Sequence, residues 1–79
     1  MIHELKTWPE YFEEIFMGRK TFEVRKNDRG FKKGDTLILK EWDNYNKEYT
    51  GRELARGVSY VLHGGNFGIE PGTVIMALQ

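Results

Sequence analysis

Lys20, Glu23 and Arg25, three of the four ionisable side chains in the stretch Gly18-Arg19-Lys20-Thr21-Phe22-Glu23-Val24-Arg25, could together form a binding site. Lys20 and Arg25 can donate charge-assisted hydrogen bonds to a phosphate or a base edge, and Glu23 can orient one of them or accept from an exocyclic amine. Because side chains alternate along a strand, Glu23 and Arg25 are predicted to share the face opposite the apolar residues. We therefore expect these three side chains to share one cleft. The alternative is an ordinary surface pair of Glu23 and Arg25, which contributes about 0 to 1 kcal/mol.

The elements before this stretch are predicted to be a short strand and an amphipathic helix. The strand covers residues 2–6, and Thr7 is expected to cap the helix, with Glu10 completing a capping box and Pro9 in the first turn. Gly18 can adopt the left-handed conformation that ends a helix. Apolar residues recur at helical spacing and are expected to pack on a core: Trp8, Tyr11, Phe12, Ile15 and Phe16. Trp8, at the start of the helix, is the ring expected to reach a cleft.

The elements after it are predicted to be strands joined by turns. Strand patterns cover residues 36–42, 52–62 and 73–78, and residues 43–51 suggest a long hairpin connection. Gly57 in mid-strand suggests a bulge or bend of the kind that turns a barrel corner. One face of the 52–62 strand is expected to carry Leu54, Val58, Tyr60 and Leu62. The order β-α-β-β-β-β predicts an α+β fold, an antiparallel barrel of about five strands with one early helix.

A glycine-rich loop, residues 63–68, precedes the last strand. Its spacing matches neither a phosphate-binding loop nor a dinucleotide fingerprint. The glycines permit close backbone approach, either to a ligand or to the barrel. Asn66 and Phe67, at the tip of the loop, are expected to read or stack on a base.

The pattern Gly-x-Lys-x-x-Glu-x-Arg, filled by Gly18, Lys20, Glu23 and Arg25, resembles the signature of the ASCH (activating signal cointegrator homology) domain family. The resemblance covers nearly the whole chain, residues 1–79, as a single domain. It implies a PUA-like β-barrel, RNA binding, and a cleft between the helix and the barrel beside the motif, bordered by the loop that carries His63, Asn66 and Phe67. An RNA- or nucleotide-type ligand is therefore the expected partner.

The resemblance leaves enzymatic activity uncertain. Some small ASCH proteins are amidohydrolases on acylated cytidine and use a lysine, a threonine and a glutamate. Lys20 stands at the lysine, but Glu23 occupies the threonine's place and Thr21 has the opposite parity. No catalytic residue is therefore assigned. A metal-independent nuclease route through Lys20, Arg25 or His63, and an adaptor role through the Tyr45/Tyr49 hairpin, stay open.

Composition sets further expectations. The 79 residues carry no net charge, but residues 18–34 hold seven basic and two acidic side chains, a balance of +5 that the rest offsets with −5. Such asymmetry suits a protein that presents one face to an anion, although a solvated turn has the same pattern. The chain has no cysteine and no apolar run long enough for a membrane span. We expect a cytoplasmic monomer without a metal or another cofactor.

Overall fold

Five strands and one short helix make up the fold, in the predicted order. A computed structural model describes residues 1–79. The elements are β1 (Ile2–Thr7), α1 (Pro9–Phe16), β2 (Phe22–Lys26), β3 (Thr36–Asp43), β4 (Glu48–His63) and β5 (Thr73–Leu78). The α+β class and the single early helix are confirmed. That helix lacks the length and hydrophobicity needed to cross a membrane.

The strands form one mixed sheet in the order β1-β3-β4-β5-β2. The pairs β3–β4, β4–β5 and β2–β5 are antiparallel, but β1 and β3 are parallel, so the expectation of an all-antiparallel sheet is wrong for that pair. The cause is the crossover: α1 and β2 intervene between β1 and β3, and the chain returns to the same end of the sheet before β3 begins. The backbone ladder leaves β1 and β2 as unpaired edges.

Side chains connect these two edges. Arg25 in β2 donates from Nη2 to the backbone oxygen of Lys6 at 2.6 Å, and Arg29 donates from Nη1 to the backbone oxygen of Glu4 at 2.7 Å. Both acceptors belong to β1. The sheet is therefore open between β1 and β2, and two arginine side chains bridge this seam where a closed barrel would have backbone hydrogen bonds.

Strand β4 pairs with two neighbouring strands. It pairs with β3 as far as Gly57 and with β5 from Val58 onward, so it changes partner at the glycine where a bulge or bend was predicted. The register then shifts between Val58 and Tyr60. This extra residue reverses the alternation, so that Val61 packs against the core while Tyr60 is 61% exposed. The predicted single apolar face is therefore wrong beyond Val58.

The connection between β3 and β4 is shorter than expected. The turn occupies residues 44–47, and both strands extend into the 43–51 segment that was predicted to be a long connection. Trp42 and Tyr49 face each other across these extended strands, with ring centroids 4.8 Å apart. Cross-strand aromatic packing of this kind stabilises a hairpin.

The helix covers the core with only part of its apolar stripe. Phe12 and Ile15 are buried, whereas Trp8, Tyr11 and Phe16 are about half exposed. Ile15 belongs to the main cluster, which also contains Leu37 and Leu39 of β3 and Met76 of β5, among others. An eight-residue helix that packs chiefly on one strand, β3, has room for one narrow contact face. Three rings of the predicted stripe therefore remain available at the surface.

The helix begins one residue later than predicted. Trp8 is the N-cap residue and makes no side-chain capping bond. Thr7 does not cap the helix because it belongs to β1, where it pairs with Glu41 of β3. The predicted capping box is therefore wrong. At the other end, Gly18 has φ +78°, which confirms the left-handed termination.

Candidate functional site

Strand β2 turns its charged face inward. Glu23 is 5% exposed, while Phe22 and Val24 are 46% and 50% exposed. The predicted alternation is confirmed, but the buried face is the opposite of the one expected for an amphipathic strand. The reason lies in the partners of Glu23: a carboxylate is tolerated inside a protein when cations and hydrogen bonds replace its water shell.

Two cations hold the Glu23 carboxylate, one at each oxygen. Lys20 Nζ lies 3.1 Å from Oε1, and Arg25 Nε lies 2.7 Å from Oε2. Lys20 Nζ also donates to the backbone oxygen of Phe22 at 2.8 Å, and Arg25 Nη2 donates across the seam to Lys6. The three side chains predicted to share a cleft are therefore together. That they bind a ligand stays a prediction.

A pocket with a volume of about 400 Å³ opens over this cluster, between the start of α1 and β2. Eight residues line it: Lys6, Thr7, Trp8, Tyr11, Lys20, Glu23, Val24 and Arg25. Three of them are cations and one is an acid, which gives the lining a formal charge of +2. The pocket is therefore suited to an anionic ligand. Trp8 reaches it as predicted.

The aromatic wall of the pocket consists of two rings. Trp8 and Tyr11 are stacked, with centroids 6.2 Å apart and planes inclined by 20°. Lys20 Nζ lies 5.8 Å from the centroid of Tyr11. Sequence reasoning assigned Tyr11 to the core and missed its place here. The available signal was its position three residues after Trp8, which puts both rings on the same side of a helix.

Thr7 was also missed as a pocket residue. It is 3% exposed, and its Oγ1 has no hydrogen-bond partner in the chain. Buried hydroxyl groups nearly always have a partner, so an unpartnered one beside a pocket is informative. No group of three or more His, Cys, Asp or Glu side chains is placed to hold a metal ion.

The glycine-rich loop does not line this pocket. His63, Asn66 and Phe67 are exposed, Phe67 by 86%, and none of them belongs to the lining. The expectation that the loop borders the cleft is therefore wrong. The loop follows β4 and leads to the turn before β5. That turn is joined to the residue after β2 by the hydrogen bond from Asn27 N to Gly72 O, whereas Lys20 lies before the other end of β2.

Within the loop, Gly64 is required by close packing of the backbone. A Cβ at this position would overlap the carbonyl oxygen of Glu70 and would lie 2.9 Å from the carbonyl oxygen of Thr73. The amide of Gly64 donates to that same Thr73 oxygen at 2.7 Å. The close backbone approach that these glycines were expected to permit, to a ligand or to the barrel, is therefore an approach to the protein itself at Gly64.

We predict that Gly64→Ala lowers the free energy of unfolding by about 3 kcal/mol, because the added methyl group must displace backbone atoms of the loop. Gly57→Ala is the matched control: its Cβ would meet Gln79 Cγ at 3.7 Å, an ordinary contact, and should change stability by less than about 1 kcal/mol. Urea unfolding of both variants measures the difference. Equal losses would contradict the proposed clash.

A second buried polar cluster joins β1 to the turn before β3. His3 Nε2 lies 2.8 Å from Asp35 Oδ2, and the His3 ring packs edge-on against Phe31. The backbone amide of Lys32 donates to the same Asp35 oxygen at 3.0 Å. The hydrogen bond of His3 first, then that of Lys32, and also the amine of Met1 at 3.1 Å from Oδ1, lower the pKa of Asp35 to about 2. Neither His3 nor Asp35 lines the pocket, so this cluster is part of the scaffold.

The low pKa of Asp35 predicts a stability change in acid. The ordinary pKa of the carboxyl group is 3.8, so its contribution is present above that value and is lost as pH falls toward about 2. Asp35→Asn should therefore be less stable than the wild type at pH 6, and the difference between their free energies of unfolding should be smaller at pH 2. Urea unfolding across this range measures it. Asp28→Asn, an exposed site, should show no such narrowing.

Comparison with known proteins defines the family. The chain belongs to the family described as Domain of unknown function (DUF3850), whose model matches residues 2–78. It is similar to the "Uncharacterized 12.9 kDa protein in GpA 3′ region" of Escherichia phage P2, with 42% identity over 60 residues, 76% of this chain and 53% of that protein. The match thus spans about half the length of this relative. Neither description names the ASCH domain, so that resemblance stays a prediction.

Proposed function

We propose that this chain is an RNA- or nucleotide-binding domain and that the pocket between α1 and β2 receives an anionic ligand bearing an aromatic ring. One observation carries the proposal: a buried carboxylate orients two cations beside a pair of half-exposed stacked rings. Phosphate and base are the two parts of a nucleotide that such a pocket suits.

The cations keep hydrogen-bonding capacity for a ligand. Arg25 uses Nε for Glu23 and Nη2 for Lys6, which leaves Nη1 without a partner in the chain. Lys20 uses its ammonium for Glu23 and for the Phe22 carbonyl, which leaves one of three protons. Because Glu23 and the backbone already hold both groups in place, a phosphate would lose little free energy in ordering them.

The rings supply the second half of the site. Trp8 and Tyr11 are 48% and 45% exposed, so each retains free ring surface next to the cations. Stacking of a base on an aromatic side chain contributes about 1 to 3 kcal/mol and tolerates any base. The site would therefore bind nucleotides with weak base preference unless backbone groups of β2 read the base edge.

The same proposal includes the fold family. We interpret the five-stranded sheet as a PUA-like barrel of the ASCH type that is open between β1 and β2. The arginine contacts across that seam support this interpretation, as does the position of Lys20, Glu23 and Arg25 at the junction of helix and strand. The pocket then lies where the resemblance puts the cleft, between the helix and the sheet.

An equilibrium titration tests the proposed function. The wild-type chain is titrated with the four nucleoside monophosphates, short single-stranded RNA, duplex RNA and DNA at two salt concentrations. We expect binding that weakens as salt rises, since phosphate contacts displace counterions. No binding of any of these ligands at low salt would overturn the proposal.

A second candidate function is hydrolysis of a small amide, and Thr7 favours it. The unpartnered hydroxyl of Thr7 lies in the wall of the same pocket as Lys20 and Glu23. These are the three residue types that the resemblance associates with amidohydrolases on acylated cytidine. Incubating acylated cytidine with the wild type and with Thr7→Val, followed by chromatography, tests it. Absence of deacylated product with the wild type would exclude this activity.

A further inference from the structure

The surface of the β2–β5–β4 sheet that faces away from the core carries an unusual set of side chains. We define this outer face by eight residues, all exposed or half-buried: Phe22, Val24, Lys26, Tyr60, Leu62, Thr73, Ile75 and Ala77. The opposite face of the same strands carries Glu23, Val74 and Met76, all buried. The outer face thus leaves apolar groups uncovered where a sheet exposed to water normally carries polar ones.

The strand register arranges these groups in rows. Phe22, Ala77 and Tyr60 are paired across three strands, and Val24, Ile75 and Leu62 form the next row. Because neighbouring strands lie about 4.8 Å apart, the backbones of Phe22 and Tyr60 are separated by about 10 Å. Two aromatic rings therefore stand on either side of a small alanine and leave room for a flat group against each.

The eight residues of the outer face carry only positive charge, and acidic groups lie at one edge, where Asp28 and Glu70 share a groove with Lys26 and Thr73. None of its eight residues is acidic, although the chain outside residues 18–34 carries ten acidic groups against five basic ones. Lys26 belongs to the face, and Lys20 Nζ lies 4.8 Å from the centroid of the Phe22 ring. Aromatic rings with lysines beside them, and no carboxylate among them, suit the bases and phosphates of a nucleic acid.

We infer that the outer face binds single-stranded nucleic acid that continues from the pocket. This inference rests on the proposed function and names its substrate class: an oligonucleotide, with one nucleotide in the pocket and its neighbours on Phe22 and Tyr60. Val24 connects the two surfaces, because it lines the pocket and also belongs to the outer face. A duplex keeps its bases stacked inside and cannot present them to these rings.

A second copy of the chain is a poorer fit to the outer face. Phe22 and Tyr60 are 46% and 61% exposed, which corresponds to roughly 200 Å² of ring surface in total. A standard protein interface buries about 800 Å² on each partner. These two residues can therefore hold two bases, but they supply only about a quarter of the area that a stable dimer needs, and the other six residues of the face would have to supply the rest.

Tyr60→Ala tests the inference, because Tyr60 is the more exposed ring and does not line the pocket. Affinity is measured by fluorescence anisotropy for a labelled single-stranded octauridine RNA and, by competition, for uridine monophosphate. We expect Tyr60→Ala to weaken octamer binding about tenfold and to leave monophosphate binding unchanged. Tyr60→Phe, which keeps the ring, should bind like the wild type, and so should Tyr45→Ala, an 89% exposed tyrosine at the β3–β4 turn.

The outcomes separate this inference from the proposed function. If the octamer and the monophosphate bind equally and Tyr60→Ala changes neither, the outer face has no role while the pocket keeps its function. If Tyr60→Ala weakens the octamer but loss of both Lys20 and Arg25 does not, the outer face is supported and the pocket proposal fails. Failure of every nucleotide to bind overturns both. Sedimentation of the wild type as a dimer that Tyr60→Ala dissociates would show a second copy on the face instead.

Discussion

Replacement of both Lys20 and Arg25 by methionine is expected to lower nucleotide affinity by about 100-fold or more. Each cation keeps at least one free donor for a phosphate oxygen, and a hydrogen bond to a charged group contributes about 1.5 to 3 kcal/mol. Methionine keeps an unbranched side chain that fills most of the same space, but the buried Glu23 carboxylate loses its two cations, so the thermal midpoint of the variant is measured alongside its affinity. If both cations contact phosphate, the slope of log affinity against log salt should also become shallower by one to two units. Titration at four salt concentrations gives both quantities.

The control variant also removes two positive charges from the basic segment, but at positions outside the pocket. Lys32 and Lys33 are exposed, belong to the basic stretch 18–34, and do not line the pocket. Their double replacement by methionine should change affinity by less than about threefold, since distant exposed charges are screened by salt. Equal losses in the two double variants would mean that diffuse positive charge attracts the ligand and that the pocket geometry has no role.

The arrangement of elements along the chain could be predicted because local signals determine it. Gly18 ends the helix, Gly57 lies where β4 changes partner, and β5 covers residues 73–78, where the sequence predicted a strand. Each of these features depends on residues close together in sequence. The clustering of Lys20, Glu23 and Arg25 is also a local feature, because one turn and the five residues of β2 bring them together without contacts to residues distant in sequence.

Features that depend on long-range packing could not be predicted. Alternation in β2 shows that Glu23 and Val24 face opposite ways, but only the rest of the sheet decides which of them is buried. The sequence of residues 73–78 did not indicate that Met76 would pair with an acidic residue, Glu23, in the neighbouring strand. Thr7 fits an N-cap locally, yet its pairing with Glu41 in a distant strand draws it into β1. Tertiary context overrode local preference in each case.

The same limit explains the misplaced loop. Residues 63–68 have the composition of a binding loop, and composition says nothing about where the loop lies relative to Lys20. Its position follows from the β4–β5 pairing and from the bond between Asn27 and Gly72, both invisible before the sheet order is known. The pocket instead recruits Thr7 and Tyr11, which flank the start of α1.

Loss of Glu23 alone is expected to destabilise the fold more than any other single change at the site. Glu23→Leu leaves Lys20 and Arg25, 19% and 27% exposed, without their shared counter-charge. Removal of one partner from a buried ion pair costs about 3 to 5 kcal/mol, and the lower figure applies because both cations reach water. The total free energy of unfolding of a 79-residue domain is roughly 4 to 12 kcal/mol, so the midpoint of thermal unfolding should fall by more than about 10 °C.

Two further variants distinguish the effect of the unpaired charges from the effect of packing at position 23. The triple variant Lys20→Met/Glu23→Leu/Arg25→Met leaves no charge unpaired, so it should recover most of the stability that Glu23→Leu loses, while still failing to bind nucleotide. Glu48→Leu, at an exposed position, should leave the midpoint within about 2 °C of the wild type. If the triple variant is as unstable as Glu23→Leu, the leucine itself does not fit at position 23. If Glu23→Leu is as stable as the wild type, the two cations are held by their backbone contacts to Phe22 and Lys6, and the carboxylate is free to serve a ligand directly.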